Sequence, residues 1–264
     1  MPNENLLAIT PIDGRYESRT KFLSDYFSEF ALIKTRVEVE INWLILISNN
    51  KSLSFIPNLS SGQEKKVLNI FNEFSIQDAR EIKKIEKKTN HDVKAIELFI
   101  VEKLKKLKLN KLCEFVHFCC TSEDINNLSY SLMLQRFLNQ EFSPAMDALQ
   151  KKLSSLAKKW SKISMLAFTH GQPASPTTLG KEFANYSHRL KFHLDLIKST
   201  KQKGKFNGAS GNYNAHLIAS QKVNWEALSK RFVNSLGLNF SSHSTQIELK
   251  DAMAYQLTNI HNLN

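Results

Sequence analysis

SPAMDALQKKLSSLAKKWSKI (143–163) and LGKEFANYSHRLKFHLDLIKS (179–199) are the stretches whose reading decides the fold. In the first, Leu149, Leu153, Leu156, Trp160 and Ile163 recur at intervals of 4, 3, 4 and 3 residues. That is close to the heptad spacing that keeps one apolar seam of a long helix against its neighbours. Leu179, Phe183, Tyr186, Leu190, Leu194 and Ile197 repeat the theme in the second. Ser143 and Pro144 read as an N-cap followed by proline at the first helical position, where a missing N–H costs nothing. Seams of this kind belong to long helices packed in a bundle, and every residue in them reads as core.

The same periodicity extends towards the N-terminus. Residues 21–49 read as one long apolar helix, with Leu23, Phe27, Phe30, Ile33, Val37, Ile41, Leu44 and Ile45 on its stripe. Residues 62–88 carry a second, more polar helical pattern and residues 92–108 a third. Asn90-His91-Asp92 lies between these two as a loop and helix cap. Eight Gly and six Pro in 264 residues argue against a turn-rich β architecture. The expected fold class is all-α: an N-terminal helical domain over 1–111, then a bundle of long helices over 112–264. The pattern from Asp251 to Leu263 stops at Asn264 without a glycine cap, which reads as a helix with a missing continuation.

Composition narrows the partners. The formal charge is +11, but it comes from 29 Lys and only 7 Arg, with the lysines spread through helical segments and several at helical spacing from glutamates. This describes a solvated face better than a nucleic-acid surface, which leans on arginine forks and clustered bases. An anionic small molecule would be served by the same field. Cys113, Cys119 and Cys120 suit neither a disulfide framework nor a zinc site, and read as buried free thiols of a reducing compartment. MPNENLLAIT (1–10) has no basic segment followed by an apolar one, and no run approaches the roughly 18 apolar residues of a membrane span. A soluble, cytoplasmic protein with no membrane contact is expected.

Four loops are more polar than packing requires. Asp13-Gly14-Arg15-Tyr16 sets a cation and a phenol beside a glycine, and an arginine fork there can hold phosphate; a plain surface pair reads equally. In Thr89-Asn90-His91-Asp92 an imidazole stands among donors and acceptors at a helix start, with Asn90 or Asp92 as a simple cap for the alternative. CTSEDINN (120–127) fits a capping box of Thr121 with Asp124, yet two hydroxyls at a helix N-terminus also make a seat for a carboxylate. THGQPASP (169–176) is the strongest candidate. Two prolines stiffen it, Gly171 permits close approach, and His170 is placed as a general acid. His117, His188, His193 and His216 lack such settings and read as structural.

At these residues the chain resembles the adenylosuccinate lyase family of the fumarase/aspartase superfamily. THGQPASP (169–176) is similar to its histidine-loop signature. TPIDGRY (10–16), KTNHDVKA (88–95), CTSEDINN (120–127), NGASGNYNAH (207–216) and TQIE (245–248) look like that family in its order. The resemblance runs from residue 6 to about 260 and favours the bacterial branch. It implies reversible β-elimination of fumarate from adenylosuccinate and from the succinylated carboxamide ribotide of purine synthesis, without metal or organic cofactor. By position, His170 matches the general acid. Arg15 and Tyr16 match phosphate contacts, and Asn90, His91 and Asp92 match nucleotide and succinyl contacts. Thr121 and Ser122 match the seat of the succinyl carboxylate, and Gln246 matches a further substrate contact.

The family's Ser-Ser-x-Met-Pro-x-Lys-x-Asn-Pro loop, which carries its serine base, has no counterpart in these 264 residues. The family's third helical domain and about half of its central bundle also lack one. The resemblance therefore implies the N-terminal part of a homotetrameric lyase, truncated and inactive alone. The alternative is a non-catalytic remnant that binds nucleotide or co-assembles with an intact subunit.

Overall fold

The computed structural model describes residues 7–263. Residues 1–6, on which the leader reading partly rests, and Asn264 lie outside the described residues. The fold is all-α. Helices α1 (Glu17–Thr20), α2 (Ser24–Phe27), α3 (Glu29–Ser48), α4 (Ser61–Asn72), α5 (Ile76–Thr89), α6 (Asp92–Lys106) and α7 (Ser122–Phe137) come first. A π-helical turn (Leu138–Phe142) leads into α8 (Ser143–Lys159). Strands β1 (Ser164–Thr169) and β2 (Gln172–Thr178) follow, then α9 (Leu179–Ser199), β3 (Lys203–Gly204), α10 (Asn214–Ala219), α11 (Trp225–Ser235), β4 (Asn239–Phe240) and α12 (Asp251–Leu263).

By contact the chain forms two compact units, Met1–Leu134 with Lys203–Leu249, and Gln135–Gln202 with Lys250–Asn264. These units group residues by contact alone. Residues 112–134 pack with the N-terminal helices, because α7 carries Ile125, Leu128 and Leu132 into the same core as α3 and α6.

In the first unit α3 is the central helix. Its expected start at residue 21 is displaced to Glu29, because Ser28 is extended and its hydroxyl accepts the Ala31 N–H. The expected single helix 62–88 is likewise two. Phe74 and Ser75 interrupt it, and Ser75 forms a capping box with Asp78 that starts α5. Trp43, fully buried on α3, packs against Phe206 and Phe232 with ring centroids 4.5 and 5.2 Å away. Its indole N–H donates to the Phe118 carbonyl. These contacts hold the 203–249 segment on the helical core.

In the second unit α8 and α9 run antiparallel. Gly180 N–H bonds Trp160 O near one end, Gln150 meets Ser187 further along, and Asp147 pairs with Lys198 at the other. Ser143 does not cap α8 as expected. It continues the helical path out of the π turn, and Pro144 is accommodated there because the wider turn already disrupts the regular bonding that its missing N–H would break. Gln256 of α12 donates to Ile197 O and Thr200 O, which docks that helix on the end of α9.

The seams expected as core are only partly so. Leu194 and Ile197 are buried, but Leu149, Ile163 and Tyr186 are exposed. Three helices cannot enclose a stripe that a heptad pattern presents to neighbours on both sides. At Gly180 the two long helices approach so closely that a Cβ would stand 2.4 Å from Ala157 O and 2.6 Å from the Ser161 backbone. Gly180→Ala is therefore expected to cost about 1–3 kcal/mol, since backbone rather than a side-chain tip must yield. Urea unfolding followed by circular dichroism reads it, and an unchanged midpoint would contradict the close contact.

Several lysines are paired, Lys83 with Glu29 and Glu86, Lys94 with Glu97 and Lys105 with Glu102, as a solvated face requires. No helix among the described residues is long and apolar enough to cross a membrane.

Candidate functional site

Two helix N-termini of the first unit carry the expected binding residues. Asn90 ends α5 in the left-handed conformation, at φ 52°, which lets the chain reverse directly into α6. The cap of α6 is His91, not Asn90 or Asp92, and its Nδ1 accepts the Lys94 N–H at 3.1 Å. This leaves the other ring nitrogen of a half-exposed imidazole free of the cap. Asp92 is the first helical residue. One carboxylate oxygen accepts the Val93 N–H, and the other meets Arg36 Nη2 at 2.8 Å. Burial opposes its ionised form, but the Arg36 charge and the Val93 bond outweigh it and its pKa is lowered.

At the start of α7, the Thr121 N–H donates to Asp124 at 2.9 Å, one half of the expected capping box. Asp124 does far more than cap. Fully buried, it also accepts from the Asn207 and Gly208 N–H groups and forms a 2.9 Å ion pair with the equally buried Lys205. Asn127 exchanges side-chain bonds with the Lys205 backbone at both N–H and carbonyl, and Asn126 accepts from Arg36 Nε at 2.8 Å. The polar surplus of CTSEDINN, read as a sign of function, is thus largely spent on fastening α7 to the 205–208 segment and to α3. Thr121 and Ser122 remain half-buried at the helix mouth.

Arg15 and Tyr16 are exposed beside a turn closed by Gly14 N–H to Thr10 O and Tyr16 N–H to Pro11 O. Gln246 is exposed in the bend after Ser244, whose hydroxyl accepts from Asn207. His170 belongs to the other unit. The stretch read as a rigid loop is an antiparallel hairpin closed by Thr169 and Gln172, with His170 and Gly171 as its two-residue tip. Both have positive φ, 52° and 73°, as the primed turns of tight hairpins require. Glycine adopts this freely, whereas for histidine it costs roughly 1 kcal/mol. The imidazole is exposed at that tip. The strands escaped sequence reading because Pro173 and Pro176 lie in β2, tolerable only in a two-stranded ribbon with a bulge.

Two histidines read as structural have defined settings. His117 Nδ1 lies 2.6 Å from Glu40, and although burial opposes its charge the carboxylate wins and raises its pKa. His216 is buried between the rings of Tyr213 and Trp225, and burial lowers its pKa to about 4. The unfolded chain would bind the His216 proton near pH 6.5, so below that value the unfolded state gains protons that the folded state refuses. Stability held by neutral His216 is present above about pH 6.5 and lost as pH falls toward about 4. His117 acts in the opposite sense, stabilising below its unfolded pKa and ceasing to do so as pH rises through its folded one. Urea midpoints between pH 7 and 4.5 should fall, and His216→Asn should flatten that fall; an equal slope in the variant would contradict the assignment.

The three cysteines are half-buried free thiols, less enclosed than expected, and burial raises Cys119 to about 11. Among the described residues no group of three or more His, Cys, Asp or Glu side chains is arranged to hold a metal ion.

Sequence reading missed Arg36 as well as the structural use of Asp124 and Asn127. The available signal for Arg36 was a charged group, Lys34, Arg36, Glu38 and Glu40, inside the otherwise apolar run of α3.

The fold itself defines the class. It matches a fumarate lyase of Mesorhizobium sp. BNC1 with a TM-score of 0.72 at 16% identity, covering 92% of this chain and 54% of that one. It also matches the β-carboxy-cis,cis-muconate cycloisomerase of Acinetobacter calcoaceticus with a TM-score of 0.67. The likeness shows the shared helical fold.

The family profile described as lyase matches residues 14–264, and the chain belongs to that family. Among curated proteins it is 44% identical over 255 residues to an adenylosuccinate lyase of Buchnera aphidicola, covering 96% of this chain and 56% of the relative. It is 41% identical, also over 255 residues, to the adenylosuccinate lyase of Escherichia coli K12. The chain spans about half the length of the curated relatives it matches.

Proposed function

We propose that this chain supplies the acid-bearing and substrate-gripping part of an adenylosuccinate lyase, a cytoplasmic enzyme of purine nucleotide biosynthesis that works as a homotetramer. Its N-terminal domain would be residues 1–111, and residues 112–264 the first part of the central bundle. The observation that carries the reading is the exposed His170 at a strained two-residue turn, in a chain 41–44% identical to adenylosuccinate lyases.

In the reaction a base removes a proton from the succinyl carbon next to a carboxylate. The resulting aci-carboxylate is stabilised by positioned donors, and the C–N bond breaks as an acid protonates the departing nitrogen. His170 delivers that proton. The N-termini of α6 and α7 turn their positive dipole ends toward anionic groups, with Asn90 and His91 at one, and Thr121 and Ser122 at the other. Arg15 and Tyr16 hold the phosphate, and Gln246 adds a further contact. No counterpart of the family's serine-bearing loop occurs in these 264 residues, so this stretch supplies the acid and the substrate contacts but not that base.

Fumarate release, followed by its ultraviolet absorbance, tests this. The purified chain alone should be inactive. Mixed with an adenylosuccinate lyase subunit whose own acid histidine has been replaced, it should restore activity. Turnover by the chain alone, abolished by His170→Ala, would show that a residue of this chain replaces the serine. AMP binding without any rescue would favour a non-catalytic nucleotide-binding role.

A further inference from the structure

We propose that Arg36 is a positioning residue that locks the Asn90–Asp92 turn to the Thr121–Asn127 segment, so that Asp92 serves as an anchor and not as a free substrate contact. Arg36 is 5% exposed, inside α3, and far in sequence from both segments. Its Nη2 meets Asp92 Oδ2 and its Nε donates to Asn126 Oδ1, each at 2.8 Å. The guanidinium is planar and permanently charged, so the two bonds leave it in fixed directions from one rigid group. A lysine, with a single mobile ammonium, cannot hold both in that geometry.

The consequence follows from what each partner neighbours. Asn90 and His91 immediately precede Asp92. Ser122 stands four residues before Asn126, on the same face of α7. Fixing Asp92 and Asn126 to one plane thereby fixes the spacing between the two helix mouths. Both Asp92 oxygens are also engaged, one by Arg36 and one by the Val93 N–H, although the side chain is 46% exposed. An exposed carboxylate held at both oxygens is arranged to orient its neighbours. The 205–208 segment is fastened to the same helix α7 independently, through Asp124 and Asn127. Its amides bond to that helix and follow it, so α11, capped locally by Asn224, provides the internal reference.

The ligand side of this inference rests on the adenylosuccinate reading; the geometric side does not. The test uses the full chain with Arg36→Met, Arg36→Lys and Asn126→Ala, and measures amide hydrogen exchange. In Arg36→Met, amides of 90–95 and 121–127 should exchange about tenfold faster or more, the scale of one lost charge-assisted bond. Those of α11 (Trp225–Ser235) should keep their rate. Arg36→Lys should loosen at least one of the two segments, and Asn126→Ala the 121–127 segment more than 90–95. Equal acceleration in α11 would show a general loss of stability and overturn the proposal, as would unchanged exchange in both segments of a folded Arg36→Met.

In the mixed assembly, Arg36→Lys should raise KM for adenylosuccinate about tenfold with kcat nearly kept, a split that general destabilisation does not produce. A kcat loss at constant KM would overturn it. If the wild-type chain restores no turnover, the adenylosuccinate reading fails, and hydrogen exchange alone decides the role of Arg36.

Discussion

Asp124→Ala is expected to destabilise the first unit by about 3–5 kcal/mol, enough to unfold much of a marginally stable protein at room temperature. The side chain is fully buried and accepts from four donors: Lys205 Nζ and the N–H groups of Thr121, Asn207 and Gly208. Its removal leaves a buried ammonium without its counter-charge and three N–H groups short of an acceptor. Lys205 retains only the Gly208 carbonyl, 2.9 Å away. Asp124→Asn keeps the shape but loses the charge, so it should cost less. Lys205→Met should cost less again, because the carboxylate keeps its three N–H donors. Urea denaturation of the three variants would show this order. Equal midpoints for Asp124→Ala and wild type would mean that the buried pair contributes nothing to the fold.

His170→Ala should lower fumarate release in the mixed assembly by about 10²–10⁴-fold, the usual contribution of a positioned proton donor. The loss should fall on kcat, since proton delivery matters in the transition state and little in binding. Global stability should not suffer. The side chain is exposed at the hairpin tip, and alanine relieves no contact there, although it must adopt the same positive φ. His170→Gly removes that backbone strain as well. It should therefore be at least as stable as wild type and as inactive as His170→Ala. Activity retained in both variants would remove His170 from the reaction and weaken the assignment of the site as a whole.

Most of the helical architecture was legible because its signals are local. Seams at three- and four-residue spacing located α3, α8 and α9. Errors arose where a single residue changed the local rule. Ser28 and Ser75 split patterns that hydrophobicity read as continuous, because a hydroxyl that accepts a backbone N–H starts a new helix whatever the stripe around it. Ser143 and Pro144 do begin α8 with proline in its first turn, but a π turn and not an extended cap precedes them. In the candidate site, the loops around His170, His91 and Thr121 stood out by composition. Composition could not separate a polar residue that faces a ligand from one that faces the protein, which is why CTSEDINN (120–127) leaves open a role for its polar surplus that Asn126 and Asn127 spend on Arg36 and Lys205.

The sequence by itself determined the all-α class, the long-helix seams and the loops that bear polar chemistry, since periodicity and turn residues act within a few positions of each other. Only the tertiary structure decided that Arg36 joins Asp92 to Asn126, that Lys205 meets Asp124 and that His170 sits on a hairpin tip. The first two are contacts between residues tens of positions apart. Burial makes their charge pairing and directionality count, and neither burial nor partner is written in local spacing. The hairpin depends on two strands pairing despite the prolines in one of them, and the same register carries His170 into the left-handed turn at its tip.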